Sequence, residues 1–446
     1  MDGTEALLAL MAGLAAAGPL LALRHPLWRT PFHPAVAFGV PYFLITAGPA
    51  IRYLVYGIEP YGIHLDMLGR ALAVAAGAQA GILVGCVLAK AVPPRPRLYL
   101  LLRRPQRFRR VVGRVCLLAL GLAAVSLAAR WSELAMTGKL DLGAADSLWL
   151  RIHYASFFLL LATIPAVIVA DQMVEHRPLP RLTRLVVVGF GVVCLLQSER
   201  DVALVLLMIP ISWLAVRTDP APQLRDRQQG RRFGVVHVGA AFAGAAALLA
   251  VMQWARSGGG LGLADQASAL ASTAREESVV QTSLQTILGL GSNLFVVSRV
   301  VEWVPDEAPH EHGMTYVHTL VNLVPSFVLP ELRQESLLTW FKERYAPTSQ
   351  SGYGFGMEAE AYLNFGLVGP LVVFALWAFF LCRLHAGYHA LPGALLYRYL
   401  YTFFVPFSLY SIRGDSLMCV KGLLYSVTAV WLLARLSGTT ARARVA

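Results

Sequence analysis

The chain has 446 residues, 57% of them hydrophobic and 14% charged, with a formal net charge of +12 and a mean hydropathy of +0.57. That composition excludes an ordinary soluble domain and a disordered chain, and it is the composition of a polytopic membrane protein. The basic excess then belongs to membrane topology, and no nucleic-acid partner is expected.

A helix needs about 20 apolar residues to cross a bilayer. Runs of that length begin near Ala6, Ala35, Leu68, Val111, Leu148, Leu182, Val202, Phe233, Ala361, Leu395 and Leu417. They predict an all-α polytopic fold with about eleven transmembrane helices. The first run follows Asp2 and Glu5, with no basic segment before it and no small-residue cleavage site before Arg24, so it reads as a retained helix. The sixth and seventh runs are separated only by Ser198-Glu199-Arg200-Asp201, which predicts a tight helical hairpin. The expected organisation is a membrane bundle over residues 1–254, a large extracytoplasmic loop with interfacial helices over 255–360, and further membrane helices over 361–446. Cys86, Cys116, Cys194, Cys382 and Cys419 all fall within or at the edge of apolar runs, which argues against a disulfide framework.

Assigning alternate connections to alternate sides gathers Arg24, Arg29, residues 90–114, 177–184 and 217–232, Arg383, Arg398 and the tail from Arg435 on one side. That set holds most of the 38 Lys and Arg and few of the 26 Asp and Glu. The positive-inside rule makes it cytoplasmic, with the N-terminus outside and the C-terminus inside. The run "PPRPRLYLLLRRPQRFRR" is accordingly a topology signal and an anionic-lipid contact.

Residues 255–360 contain no uniformly apolar run of spanning length, yet they are too apolar for disorder and too long for a simple connection. Within them, 283–304 spaces Ile287, Leu290, Leu294, Val297 and Val301 at helical intervals. This helix is expected along the membrane surface or as a cap on the bundle. The next piece, "GMTYVHTLVNLVPSFVLPEL", is broken by Pro325 and Pro330 and reads as interfacial. Neither an internal repeat nor matched Gly/Pro-interrupted spans, the mark of an inverted-repeat transporter, is visible.

On the outer side arginine greatly outnumbers lysine. Arg200, Arg256 and Arg413, the last in "SIRGDS", come from three separate helix ends, while Arg275, Arg299 and Arg333 lie in the loop. A guanidinium offers a planar fork of donors that suits phosphate or pyrophosphate, so these are the candidate ligands for such a group. Arg200 and Arg413 also stand beside acidic residues with which they can simply pair. The segment "SQSGYGFGMEAEAYLNFG" places Gly352, Gly354 and Gly356 directly before a helix, an arrangement that can turn backbone N–H groups toward anionic oxygen. Glu358 and Glu360 are two residues apart and so point to different sides of that helix, and either is also explained by helix N-terminal electrostatics. Glu360, Glu358 and His318 are the candidates for a general base. Asp306, Glu307, His310, Glu311 and His312 invite a metal, but their spacing matches no metal signature, so no metal and no cofactor is expected.

"SERD" between two central spans, a late external loop with "HGMTYVHTLVNLVPSFVLPE", then "GYGFGMEAEAYLNFGLVGPLVVFALW" and "SIRGDS" together resemble the O-antigen and oligosaccharide repeat-unit polymerases of bacterial envelopes, the Wzy type. The resemblance covers residues 197–415 and rests most on "EAYLNFG" after glycines. It implies a GT-C-like glycosyltransferase in the bacterial inner membrane, with an extracytoplasmic active site and an undecaprenyl-pyrophosphate-linked oligosaccharide as substrate. By that likeness Arg200, Arg256 and Arg413 bind the pyrophosphate, and Glu360 and Asn364 sit in the acidic helix start, with Tyr353 and Tyr316 as further substrate contacts. Many members carry Lys-Pro where this chain reads "PELRQES", so a basic role there passes only to Arg333. A chain-length regulator and a flippase are the protein partners such a role admits. The alternatives are an O-antigen ligase, which uses the same donor, and a transporter of lipid-linked or anionic substrates.

Overall fold

The structure is a computed structural model that describes residues 3–23, 33–57, 63–91, 99–102, 104–132, 148–175, 185, 189–190, 292–324, 335–345, 354–390, 394–408, 410–438 and 440–443. In chain order the elements are α1 Gly3–Leu23, α2 Pro34–Ala37, α3 Gly39–Tyr56, α4 Leu65–Ala91, β1 Tyr99–Leu102, α5 Pro105–Ala129, α6 Leu148–Glu175, α7 Ser292–Trp303, α8 Met314–Asn322, α9 Leu337–Tyr345, α10 Met357–Phe365, α11 Val368–Ala390, α12 Leu395–Phe407, a 3₁₀ turn Tyr410–Ile412, α13 Ser416–Leu436 and β2 Thr440–Ala443.

Among the described residues six helices are long and apolar enough to cross a bilayer: Pro34–Tyr56, Asp66–Lys90, Pro105–Ala129, Arg151–Asp171, Val368–Tyr388 and Ser416–Leu436. The chain is therefore a multi-pass membrane protein of helical fold. The spans expected from Leu182, Val202 and Phe233 lie mostly or wholly outside the described residues. The one expected from Leu395 is the 13-residue α12, about 20 Å long, which ends at Phe407 where the backbone turns and the Ser408 carbonyl accepts the Ser411 N–H. One departure from an all-helical chain is a two-stranded antiparallel ribbon, in which Tyr99 pairs with Ala443 and Leu102 with Thr440. It joins two of the basic segments, 90–114 and the C-terminal tail.

The chain forms two compact units, each built from segments distant in sequence. One comprises Arg95–Thr286, Gly387–Pro406 and Leu424–Ala446. In it α5 and α6 lie side by side, and Arg109 Nε pairs with the buried Asp171 at 2.5 Å, so two charges that would be costly alone in an apolar bundle neutralise each other. Ser126 Oγ and His153 Nδ1, 2.9 Å apart, and the Tyr399 hydroxyl, which donates to the Ala162 carbonyl at 3.0 Å, satisfy other buried polar groups of this unit.

The other unit comprises Met1–Pro94, Ile287–Ala386 and Phe407–Leu423. Its hydrophobic core joins α1, α3, α4, α7, α9 and α10, and α4 also packs closely against α11. Gly77, Gly81 and Gly85 repeat every fourth residue and form a groove on α4 that admits the backbone of α11. A Cβ on Gly81 would lie 2.4 Å from the Leu371 carbonyl oxygen, and one on Gly85 would lie 2.1 Å from that of Ala375. The residue numbers rise together, so the two helices run parallel. Gly77, at the middle of α4, faces Leu367 just before α11 begins. α10 therefore joins α11 at the level of the middle of α4, about 18 Å along from the first residue of α4.

α7 is buried more completely than a helix lying on a membrane surface. Leu294, Val296, Val297, Val300 and Val301 are all at 4% exposure or less, and the helix packs on α3, α4 and α10. α7 is thus part of the packed core of this unit, with its apolar residues turned to α3, α4 and α10. Hydropathy hid this because Asn293 and Ser298 interrupt the apolar pattern, whereas both are buried and hydrogen-bonded, Asn293 to the Ile412 carbonyl and Ser298 to that of Phe295. α8, by contrast, has 9 residues and leaves Met314, Val317 and Leu320 exposed.

Candidate active site

α10 carries the two carboxylates, and they do point apart. Glu358 is buried and accepts a hydrogen bond from the Tyr42 hydroxyl of α3 through Oε2. Its Oε1 is buried with no hydrogen-bond partner among the described residues. Burial lifts the Glu358 carboxyl from its usual range to about 7, against the opposing hydrogen bond from Tyr42.

Glu360 has a different environment. Its Oε2 accepts the backbone N–H of Ser416 at 2.7 Å, and its Oε1 accepts the hydroxyls of Ser416 at 2.7 Å and Thr315 at 2.9 Å. One fully buried carboxylate thus ties α10 to the first residue of α13 and to α8. It also sits at the positive end of α13, where an anion is stabilised. Asp415 occupies the same helix end as its N-cap, with Oδ1 accepting the Met418 N–H at 2.9 Å. Burial pushes Glu360 up to about 7, opposed by the Ser416 N–H and reinforced by the charge of Asp415. Asp415 is likewise raised by burial, with the Met418 N–H and Lys421 acting the other way.

The hydroxyl pair Thr319 Oγ1 and Ser416 Oγ, 2.9 Å apart, extends this polar cluster, and Asn364 closes it. Asn364 Nδ2 donates to Thr315 Oγ1 and to the Glu360 carbonyl, both at 2.7 Å, while its Oδ1 accepts the Gly313 N–H at 2.8 Å. The preceding residues continue the pattern: the Glu311 N–H donates to the Leu363 carbonyl at 3.0 Å and the His312 N–H to that of Asn364 at 3.2 Å. The segment considered for a metal is thus a cap on the C-terminal end of α10, satisfying carbonyls a helix end leaves open. Its left-handed turn uses His312 at φ 47° and Gly313 at φ 93°.

Tyr316 stands half-buried beside this cluster, its ring stacked on Phe365 at 6.1 Å between centroids. Its hydroxyl has no hydrogen-bond partner among the described residues. Burial and the nearby charge of Glu360 both raise its pKa above the usual phenol value. His318 lies on the same helix, half-buried.

Arg413 lies in the turn between the 3₁₀ segment and Asp415, with its Nε buried. That turn is held by the glycines: a Cβ on Gly354 would lie 2.6 Å from the Arg413 carbonyl oxygen, and one on Gly356 would lie 2.3 Å from that of Ile412. The glycines before α10 therefore serve close backbone approach to "SIRGDS", a role sequence alone did not distinguish from anion binding. Arg299 is on α7, where it pairs with Glu302 at 2.6 Å and lies over the Phe295 ring. Arg200, Arg256, Arg275, Arg333 and Tyr353 lie outside the described residues.

The structure thus brings Glu360, Asn364, Tyr316 and the Arg413 turn together around the start of α13, and it sets Glu358 on another face against α3. Thr315, Ser416 and Tyr42 were not singled out in the sequence. Residues 224–437 match the family model of the O-antigen polysaccharide polymerase Wzy. The match takes in α7 to α13 and the whole Glu360 cluster, and it spans just under half of the chain. The resemblance read from the residues before α10 and from "SIRGDS" is therefore shown for this stretch, and the chain is similar to Wzy there. No curated protein and no solved structure matches the chain.

Proposed function

We propose that the protein polymerises undecaprenyl-pyrophosphate-linked oligosaccharide repeat units into an O-antigen or related surface polysaccharide, at the outer face of the bacterial cytoplasmic membrane. The observation that carries this reading is the Wzy match over 224–437, which coincides with the buried cluster holding the Arg413 turn against α10. A hydroxyl of the incoming lipid-linked unit attacks the anomeric carbon of the sugar on the donor pyrophosphate. The new glycosidic bond forms as the bond to pyrophosphate breaks, and the hydroxyl proton passes to a base.

Arg413, with Arg200 and Arg256 and further support from Arg275, Arg299 and Arg333, is assigned to the pyrophosphate. Each preorganised donor that meets charge developing on the leaving group contributes about 3 kcal/mol. Glu358 and Glu360 have carboxyls lifted to about 7, the range a general base needs near neutral pH, and His318 is the third candidate. Glu360 has three donors on it already, so its first role in this scheme is to fix α8, α10 and α13. Tyr316, Asn364 and Tyr353 remain the further candidate substrate contacts. No nucleotide enters, since the lipid-linked sugar is already activated, and the fold assigned is GT-C-like.

Arg413→Ala is expected to abolish chain extension in cells while protein levels stay normal, and Arg413→Lys to restore it only in part because the fork is lost. Wild-type polymer lengths on a gel of membrane extract from Arg413→Ala cells would overturn the assignment. A strain lacking the protein should accumulate glycolipids bearing a single unit; unattached long polymer would identify a ligase instead.

A further inference from the structure

Away from the Glu360 cluster, three side chains that could bind a soft metal meet in the same unit. His33 caps α2, Cys86 lies on α4 and Cys382 on α11, and none is more than 3% exposed. Their ligand atoms all lie within 4.8 Å of one another, the only such group among the described residues. Cys382 Sγ is 3.3 Å from Cys86 Sγ and 3.9 Å from His33 Nε2. What draws the sulfurs together is the glycine groove: Gly85, next to Cys86, admits the Ala375 backbone of α11 so closely that no Cβ fits.

A tetrahedral zinc with Zn–S about 2.3 Å and Zn–N about 2.0 Å would hold its sulfurs roughly 3.8 Å apart and sulfur and nitrogen roughly 3.5 Å apart. Each measured distance is within about half an ångström of those values. His385 follows Cys382 by three residues on α11, so both fall on one helix face, and its ring centroid is 5.2 Å from that of His33. We infer that His33, Cys86 and Cys382 form a structural zinc site that staples α2, α4 and α11, with His385 closing the fourth position.

Charge supports Zn²⁺ over other soft cations. Two thiolates with a divalent ion and neutral imidazoles give a complex of zero net charge, the only kind an apolar helix bundle accepts at small cost. A monovalent soft ion with the same ligands would leave a buried negative charge. Ligation has one local cost. His33 Nδ1 now accepts the Ala35 N–H at 3.2 Å, so its proton belongs on Nε2; binding through Nε2 moves the proton to Nδ1 and gives up that helix cap. One cap is a small loss beside ligation by two thiolates. The site lies among α2, α4 and α11, not at the Glu360 cluster, so its ion takes no part in the chemistry proposed above.

The test is the zinc content of the full-length protein, purified in detergent through a tag without histidine and measured by elemental mass spectrometry. The expected result is about one zinc per chain, falling below a tenth in Cys86→Ser and Cys382→Ser and unchanged in Cys116→Ser, a buried thiol on α5. Cobalt(II) loading of the unaltered protein guards against variants that fail to fold, since thiolate-to-cobalt charge-transfer bands with tetrahedral visible bands are expected. A protein that takes up no zinc when offered Zn²⁺, full zinc in Cys382→Ser, or an intact mass two hydrogens low from a Cys86–Cys382 disulfide would overturn the inference.

Discussion

Glu360→Gln keeps the shape of the side chain and removes its ability to ionise. The Ser416 N–H can only donate, so the amide oxygen must stay on it, and the new NH₂ then faces the hydroxyls of Ser416 and Thr315. Ser416 can turn its proton to Thr319. Thr315 already receives Asn364 Nδ2, and its own proton is left buried without an acceptor, a loss of about 1–3 kcal/mol. Against this stands the charge. Burial raises Glu360 from 4.5 to about 7, so ionising it in the folded protein costs about 3 kcal/mol more than in the unfolded chain. A carboxyl raised on folding contributes stability at pH below its unfolded value and loses it as pH climbs through the folded value, whereas glutamine does not titrate. The variant is therefore expected to be about 1–3 kcal/mol less stable than the parent near pH 4, and as stable or up to about 2 kcal/mol more so above pH 8. Thermal unfolding of the detergent-solubilised proteins, followed by tryptophan fluorescence at both pH values, reads this directly. A deficit that stays constant or widens with pH would refute the placement of an ionisable, desolvated Glu360. Chain extension should be lost in the folded variant, and normal polymer would leave Glu360 a purely structural role.

Other substitutions probe the same frame. Gly85→Val should cost at least about 2 kcal/mol, visible as a lowered melting temperature or lost expression, because its Cβ meets the Ala375 carbonyl; Gly69→Ala, which faces open space, should be neutral or mildly stabilising and serves as the control. Asp415→Ala should lose about 1 kcal/mol as the cap of α13 goes, while Asp415→Asn keeps it; equal melting temperatures for the two would contradict the capping geometry. Gly356→Ala should shift the Ile412 turn and so depress chain extension more than it depresses stability, measured by polymer length against melting temperature.

Much of the membrane fold is legible in the sequence because hydropathy is a local property: six of the expected spans return as long apolar helices. What packs against what is not local. The joining of α10 to α11 level with the middle of α4 follows from the Gly77, Gly81, Gly85 groove, whose spacing is in plain view but whose partner helix lies nearly 300 residues away, and the buried position of α7 follows from its packing on α3, α4 and α10. The candidate site was legible in part. Glu360 and Asn364 were selected by their place at a helix start, and they do lie at the centre of a polar cluster. Their partners Thr315 and Ser416 are small hydroxyl residues with no local signature. Asp415, read as a neighbour for Arg413, also caps α13, because a turn so short brings the residue before Ser416 to the N-cap. His33, Cys86 and Cys382 show no motif at all, since three different helices supply them.

The central claim is that this chain forms glycosidic bonds between lipid-linked units. Purified protein in proteoliposomes, given a synthetic undecaprenyl-pyrophosphate-linked repeat unit as both donor and acceptor, measures that without other envelope enzymes. The account predicts a ladder of lengthened glycolipid with release of undecaprenyl pyrophosphate, absent with Arg413→Ala. Unextended substrate after incubation with folded protein, or substrate moved across the bilayer with no new glycosidic bond, would contradict it.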